Sequence, residues 1–196
     1  MPTSIDDLLH RMCALEEELQ VEFEKKRREF GFAVENRRIR FPLDSFNRQR
    51  LHRVGLWAYL RHSRGLVVLT APLAYAGFLP FVLTDLFVTI YQRLCFPVYG
   101  VPRVRRSDHL VFDRAELPYL NAIEKLNCFY CSYGNGVAGY LREVAARTEQ
   151  YWCPIKHARR MAAGHDRYPR FFEFGDAQAY REGLERLRRQ YEPPAD

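Results

Sequence analysis

The sequence predicts a mainly α-helical, membrane-anchored protein with a kinked or re-entrant apolar hairpin and a small cytosolic helical domain. Three observations predict this fold class. A nearly uncharged stretch runs from Gly65 to Gln92, arginines flank it on both sides, and apolar residues elsewhere recur at steps of three and four. Of the 196 residues, 47% are hydrophobic, which is enough for a packed core and argues against a disordered chain.

The apolar stretch carries one charged residue, Asp85, and none between Gly65 and Thr84. About 20 apolar residues is the length that crosses the hydrocarbon core of a bilayer. The alternative is a buried helix of a soluble protein, but a small chain has little material to cover a helix that is apolar all round. We therefore predict a membrane-embedded segment over residues 65–101, with Asp85 as its intramembrane ionisable residue.

Both flanks of this segment are basic, and positive residues tend to stay on the cytoplasmic side. A re-entrant hairpin bending near Gly77 and Pro80 would keep both flanks there, since Pro80 removes an amide donor. The rival is one tilted, kinked span. We expect Asp85 to snorkel or to pair with Arg93. The predicted interface residues are Arg53, Trp57, Arg61, Arg64, Arg103, Arg105 and Arg106.

Residues 37–64 form a basic segment in which eight arginines face one acid, Asp44. Aromatic and aliphatic residues are interleaved with them, as in some nucleic-acid-binding surfaces. Because the apolar stretch follows directly, we favour an interfacial helix that binds anionic lipid headgroups, and nucleic acid is not the expected partner.

Residues 1–36 predict an amphipathic helix from position 4 to about 33, because Leu8, Leu15 and Leu19 fall on one face with their apolar neighbours. Packing of this face on its own domain is the simpler expectation, since fewer than four heptads are present. The alternative is a short coiled coil that makes a homodimer or binds a partner protein. These residues hold no apolar run of the kind that marks a secretory signal.

Residues 102–196 are predicted to form a cytosolic helical domain. Pro118 can start a helix, Ser132–Gly136 (SYGNG) indicates a loop, and 137–152 indicates a second helix. Asp176 is the expected N-cap of a last helix.

The same domain contains a possible metal site, formed by Cys128, Cys131, Cys153 and His157. Thiolates and imidazole suit zinc, and three thiolates with one histidine also suit iron or an iron–sulfur cluster. The spacing opposes a joint site. A straight helix over 137–152 would separate its ends by about 24 Å. Four ligands therefore require a break in that helix, a folded-back loop or a second subunit.

Three other interpretations of these cysteines stay open. Cys128 and Cys131 can form a redox dithiol. Cys153 and His157 can form a nucleophile–base pair, although no orienting acid is evident. Otherwise the thiols are small packing residues, as we expect for Cys13 and Cys95 on apolar helix faces.

The segments FPVYGVPRVRRSD and YLNAIEKLNCFYCSYGNGVAGYLREVAARTEQYWCPIKHARR resemble a group of bacterial membrane proteins to which no activity is assigned. The likeness covers about residues 78–160, and its specific parts are the CxYCxYxNG and EQYWCPIKHA segments. The resemblance implies a bacterial, membrane-associated, mostly helical protein and brings no catalytic residues.

Three functional hypotheses follow. The first is a protein of the bacterial inner membrane, facing the cytoplasm, with a structural or electron-carrying zinc or iron site. The second is a non-enzymatic membrane scaffold that binds anionic lipid and a partner protein. The third is a membrane-linked thiol–disulfide protein that uses Cys128 and Cys131.

Overall fold

The computed structural model describes residues 5–35, 38–159, 161–162 and 164–191. It is mainly helical, as the sequence predicts. The chain divides into two compact units. Unit 1 consists of residues 1–63 with 113–126, and unit 2 of residues 64–112 with 127–196.

Unit 1 begins with the long helix α1, Ile5–Glu29. A two-stranded antiparallel hairpin follows, β1 (Ala33–Glu35) and β2 (Arg38–Arg40), and then two short helices, α2 (Leu43–Arg50) and α3 (Leu56–His62). The basic segment is therefore not one interfacial helix. Its local breaks coincide with Pro42 and Gly55, which precede α2 and α3.

Unit 2 begins with α4 (Gly65–Ala76) and α5 (Phe78–Tyr99). The break between them lies at Gly77, whose φ of −58° and ψ of −14° are those of a right-handed helix. Pro80 explains the break, because it has no amide hydrogen for the carbonyl of Ala76. The chain does not reverse there, and residues 65–99 form one long helical stretch, so the predicted re-entrant hairpin is not confirmed.

The helix α7, Ala122–Trp152, begins after Pro118, which therefore does not start it, and α7 also corrects the predicted loop. It passes through SYGNG without interruption. Asn121 caps its start, since its side-chain oxygen accepts from the Glu124 amide at 3.0 Å while the Glu124 carboxylate accepts from the Asn121 amide at 2.8 Å.

In unit 2, α4–α5 and α7 run parallel over most of their length. The Tyr75 hydroxyl donates a hydrogen bond to the Asn127 side-chain oxygen near one end. Near the other end, the rings of Tyr99 and Tyr151 stack with their centroids 4.9 Å apart. Both pairs are 52 residues apart in sequence, so the two helical stretches advance together. This register also shows that α4–α5 is not folded back on itself.

The chain returns between these helices through residues 100–112, which include the single-turn helix α6, Arg106–His109. Its apolar residues Val101, Val104 and Leu110 are buried in the core with Val88 and Phe96 of α5. From α7 the same core takes Tyr133, Val137, Tyr140 and Val144.

The last helix, α8, spans Ala177–Leu187. Asp176 is its N-cap as predicted, and its carboxylate accepts from the Ala179 amide at 2.8 Å. Gln150 of α7 donates to the Leu187 carbonyl at 2.8 Å, which ties the end of α8 to α7.

Candidate functional site

The helix α5 has an inverted distribution of polarity. Its buried residues are Asp85, Val88, Gln92 and Phe96, so its acid and its primary amide face the protein interior. Its opposite face is solvent-exposed and apolar, with side chains 48% to 68% exposed: Leu83, Leu86, Phe87, Ile90 and Leu94. A helix on the surface of a soluble protein has the reverse arrangement. We call these five residues the outward face of α5.

The helix α4 continues this apolar surface without a polar side. Its leucines Leu66, Leu69 and Leu73 are 76%, 74% and 79% exposed, and it has no buried residue. Together, residues 65–99 are the helical stretch of the described chain that is long and apolar enough to cross a membrane. An exposed apolar surface of this extent marks a contact with lipid or with another protein.

Asp85 is held inside unit 2 by an ion pair and hydrogen bonds. Arg106 donates to both of its carboxylate oxygens, from Nε at 2.8 Å and from Nη2 at 2.5 Å, and the Tyr133 hydroxyl donates at 2.8 Å. Burial, followed by the hydrogen bond to Asp85, raises the pKa of Tyr133, so this hydroxyl keeps its proton. The predicted pairing of Asp85 with Arg93 is wrong, because Arg93 lies on the exposed side of α5.

Gln92 supports residues 100–112, which we call the return segment, in a second way. Its side-chain oxygen accepts from the Val104 amide at 2.9 Å, and its nitrogen donates to the Val104 carbonyl at 3.2 Å. The same nitrogen donates to the Tyr140 hydroxyl. A buried extended segment must pair its backbone groups, and Gln92 does so for Val104.

We call this set of hydrogen-bonded side chains the polar seam: Asp85, Gln92, Arg106, Tyr133 and Tyr140. Asp85 was predicted from the sequence and Gln92 was not, although the two are seven residues apart and therefore share one helical face. That spacing was the available signal. Arg106 was assigned to the membrane interface, and the structure gives it the additional role of holding Asp85.

The polar seam leads to a stability prediction for Arg106→Gln. This change removes the cation that pairs with the buried Asp85 carboxylate, and losing one partner of a buried pair is destabilising. Because the Arg106 side chain is 45% exposed, we expect a loss of about 2 kcal/mol and not the 3–5 kcal/mol of a fully buried pair. Denaturant unfolding of the full chain in mild detergent measures it.

Arg105→Gln is the matched control, since Arg105 is the exposed neighbour. Its effect should stay within about 0.5 kcal/mol. Equal effects of the two changes would show that the pairing with Asp85 contributes nothing specific.

The predicted interface residues are all on the surface. Arg53, Arg61 and Arg64 are exposed, Trp57 is 85% exposed, and Arg103 and Arg105 are exposed beyond α5. In unit 1, Trp57 also borders an open apolar groove of about 430 Å³. Its lining residues are Leu56, Trp57, Leu60, Ala122, Ile123 and Leu126.

The four predicted metal ligands do not come together in the chain. Cys128 and Cys131 lie one turn apart on α7, whereas Cys153 follows its end. At 1.5 Å per residue, the 22 steps from Cys131 to Cys153 amount to about 33 Å. His157 lies after Cys153 in sequence, and its ring stacks on that of Tyr168 with a centroid separation of 6.2 Å. The described residues hold no group of three or more metal-binding side chains.

The remaining thiols differ from expectation in one case. Cys13 is exposed on α1 and does not pack, whereas Cys95 is half-buried on α5. Cys128 and Cys131 share one face of α7, and their use as a redox dithiol stays a prediction.

A charged cluster near the end of α7 was not predicted. Glu143 accepts from Arg147 at 2.8 Å and from Arg167 at 2.9 Å, and Arg167 also donates to Gln150 at 3.0 Å. Burial, the largest effect, would raise the pKa of Glu143, but the hydrogen bonds from Arg147 and Arg167 outweigh it and the pKa is lowered. Arg167 lies over the ring of Tyr191, where burial raises the pKa of the hydroxyl to about 12.

The lowered pKa of Glu143 predicts a loss of stability in acid. The folded-state pKa lies below the ordinary value of 4.5, so the stabilisation is present at neutral pH and is lost as pH falls through the folded-state pKa. We expect the free energy of unfolding to decline below about pH 4.5. In Glu143→Gln part of this decline should disappear, as thermal unfolding at pH 7 and at pH 3.5 can measure. An unchanged difference between these two pH values would contradict the assignment.

The fold and this site define a class: a mainly helical protein in which one helical stretch is long and apolar enough to span a membrane. Comparison with known proteins adds no family to this description, since no family model, curated protein or solved structure matches the chain.

Proposed function

We propose that this protein is a non-enzymatic membrane scaffold. In this proposal α4 and the outward face of α5 contact lipid chains, while the basic segment 37–64 binds anionic headgroups. The observation that carries it is the inverted polarity of α5, in which Asp85 and Gln92 are satisfied inside the protein and leucines face outward. Removing the apolar outer side of such a helix from water is favourable.

The free energy of removing apolar surface from water supports lipid as the medium around α4 and the outward face of α5. Apolar surface contributes about 25 cal/mol for each Å² removed from water. The large exposed side chains of α4 and α5 together offer several hundred Å², and unit 2 has no further element that covers them in the described chain. Because Asp85 is neutralised by Arg106, no unpaired carboxylate opposes insertion on the buried face.

The basic segment supports contact with anionic headgroups. Arg53 and Arg61 are exposed in unit 1, and the amphipathic ring of Trp57 is exposed between them in sequence. Arginine and tryptophan are enriched at the level of lipid headgroups. Each basic residue near an anionic surface contributes about 1 kcal/mol, which salt screens.

The positive-inside rule favours a cytoplasmic position for this basic segment. With the sequence resemblance described above, we place the protein at the bacterial inner membrane, with most of the chain facing the cytoplasm.

Vesicle flotation of the full chain tests the proposal. We expect it to float with vesicles of pure phosphatidylcholine and to resist an alkaline carbonate wash, because the anchor is apolar. Adding phosphatidylglycerol should increase binding, and only this increment should fall as salt is raised. A chain that is monodisperse without detergent and stays with the aqueous fraction would overturn the anchor. A salt-independent increment would overturn the headgroup contact.

A further inference from the structure

We infer that the apolar face of α1 is an interface with α1 of a second copy of this chain, in a parallel two-stranded coiled coil. Its residues are half exposed within the chain: Leu8 (51%), Met12 (54%), Leu15 (62%), Leu19 (51%) and Phe23 (49%). We call the first four of these the α1 seam. The expectation that this face packs on its own domain is therefore not met, and the apolar face lacks a cover in the described chain.

The spacing of the α1 seam is that of a heptad repeat. Steps of four, three and four residues place Leu8 and Leu15 at position d, and Met12 and Leu19 at position a. Phe23 falls at position e, beside the seam. Leucine at d is characteristic of two-stranded parallel coiled coils.

Charges beside the seam favour a second copy. In this frame Arg11 lies at position g and Glu16 at position e of the next heptad, and both are exposed. In a parallel dimer g faces the partner's following e, so Arg11 meets the partner's Glu16. Two-fold symmetry gives this pair twice.

The surrounding charge disfavours lipid as the cover. Between Met12 and Phe23 the helix carries only acidic charges, Glu16, Glu17, Glu18 and Glu22. An anionic membrane surface repels such a helix, which distinguishes it from the basic segment 37–64. Burying five half-exposed side chains from each copy removes on the order of 1,000 Å² from water, which is the lower range of specific interfaces.

A parallel arrangement and an antiparallel one differ in the charges that they pair. Parallel helices bring each a and d residue opposite its own copy and set Arg11 against the partner's Glu16. An antiparallel pair in the same frame sets Arg11 against the partner's Glu18. The two leucines at position d favour the parallel pair.

Charge reversal tests the interface in the full chain, by sedimentation velocity over a dilution series in mild detergent. Glu16→Arg should raise the dimer dissociation constant about tenfold, because two attractive pairs become repulsive. Glu17→Arg is the matched control: it makes the same charge change at position f, which faces away from the partner. Arg11→Glu combined with Glu16→Arg should restore dimerisation. Far-ultraviolet circular dichroism checks that each variant keeps its helicity.

Three outcomes would overturn the inference. The first is that the full chain is monomeric at every concentration. The second is that Glu16→Arg and Glu17→Arg weaken the dimer equally. The third is that Arg11→Glu is rescued by Glu18→Arg and not by Glu16→Arg. The last result identifies an antiparallel pair. None of these outcomes depends on whether α4–α5 enters a membrane.

Discussion

Replacing Leu83 and Leu86 by lysine together is expected to release the protein from phosphatidylcholine vesicles. Both side chains are 57% exposed on the outward face of α5, so the fold of unit 2 should not need them. A lysine near the centre of a membrane-embedded helix costs about 2.5–3.5 kcal/mol. Two lysines should therefore lower vesicle partitioning by roughly a thousandfold or more, as quantitative flotation can measure.

The matched control is Leu43→Lys with Leu51→Lys. These leucines are 80% and 85% exposed in unit 1, so the chemical change and the added charge are the same outside the anchor. We expect partitioning into uncharged vesicles to stay within about twofold of the unchanged chain. If both double variants lose binding to the same extent, the outward face of α5 is not the lipid contact.

Gly136→Ala is expected to weaken the packing of unit 2 substantially. A Cβ at Gly136 would lie 2.8 Å from the His109 carbonyl oxygen and 3.1 Å from the Leu110 Cα. These are backbone atoms, so the return segment must move to make room, and overpacking of this kind costs about 1–3 kcal/mol. Denaturant unfolding of the full chain in mild detergent should show a loss in that range.

Gly139→Ala, on the same helix, should have the opposite sign. A Cβ there meets only the His109 Nδ1 at 3.5 Å, an ordinary contact. Alanine is favoured over glycine in a helix by about 1 kcal/mol, so the free energy of unfolding should be unchanged or should rise. Equal losses at Gly136 and Gly139 would contradict the close approach of the return segment to α7.

These glycines explain why the loop predicted at SYGNG is wrong. A local sequence pattern indicates a turn when glycines cluster, because glycine adopts conformations that other residues avoid. Here Gly134 and Gly136 stay helical and instead make room for neighbours. A Cβ at Gly134 would lie 2.7 Å from the Phe81 ring, and Phe81 is more than 50 residues away in sequence. Local pattern carries no information about such a contact.

The loop that was wrongly predicted at SYGNG is what made a joint metal site of the cysteines conceivable. A loop there would have allowed Cys131 to fold back toward Cys153, whereas a continuous α7 holds them apart. The obstacle noted from the sequence, the length of helix between the two thiols, is therefore larger in the structure than the pattern indicated. A joint site within one chain is therefore disfavoured, and a site that takes ligands from a second subunit stays a prediction.

The presence of a long apolar helix agrees with the prediction, because the length and composition of the stretch indicate it. Residues 65–99 form one nearly continuous helical stretch. Its inward side was also accessible from the sequence, since Asp85 and Gln92 share a face. The partner of Asp85 was not, because Arg106 reaches it only after the chain turns at Gly100 and returns between two helices. That path depends on tertiary packing.

Labelling by a carbene generated within the lipid tails tests the central claim most directly, on the unmodified chain. A phospholipid with a diazirine near the end of one acyl chain is activated by light in vesicles that carry the protein, and mass spectrometry locates the adducts. We expect adducts within residues 65–99, concentrated at Leu83, Leu86 and Phe87, while the equally apolar and exposed α1 seam stays unlabelled. Adducts on α1 with none on residues 65–99 would contradict the proposed anchor.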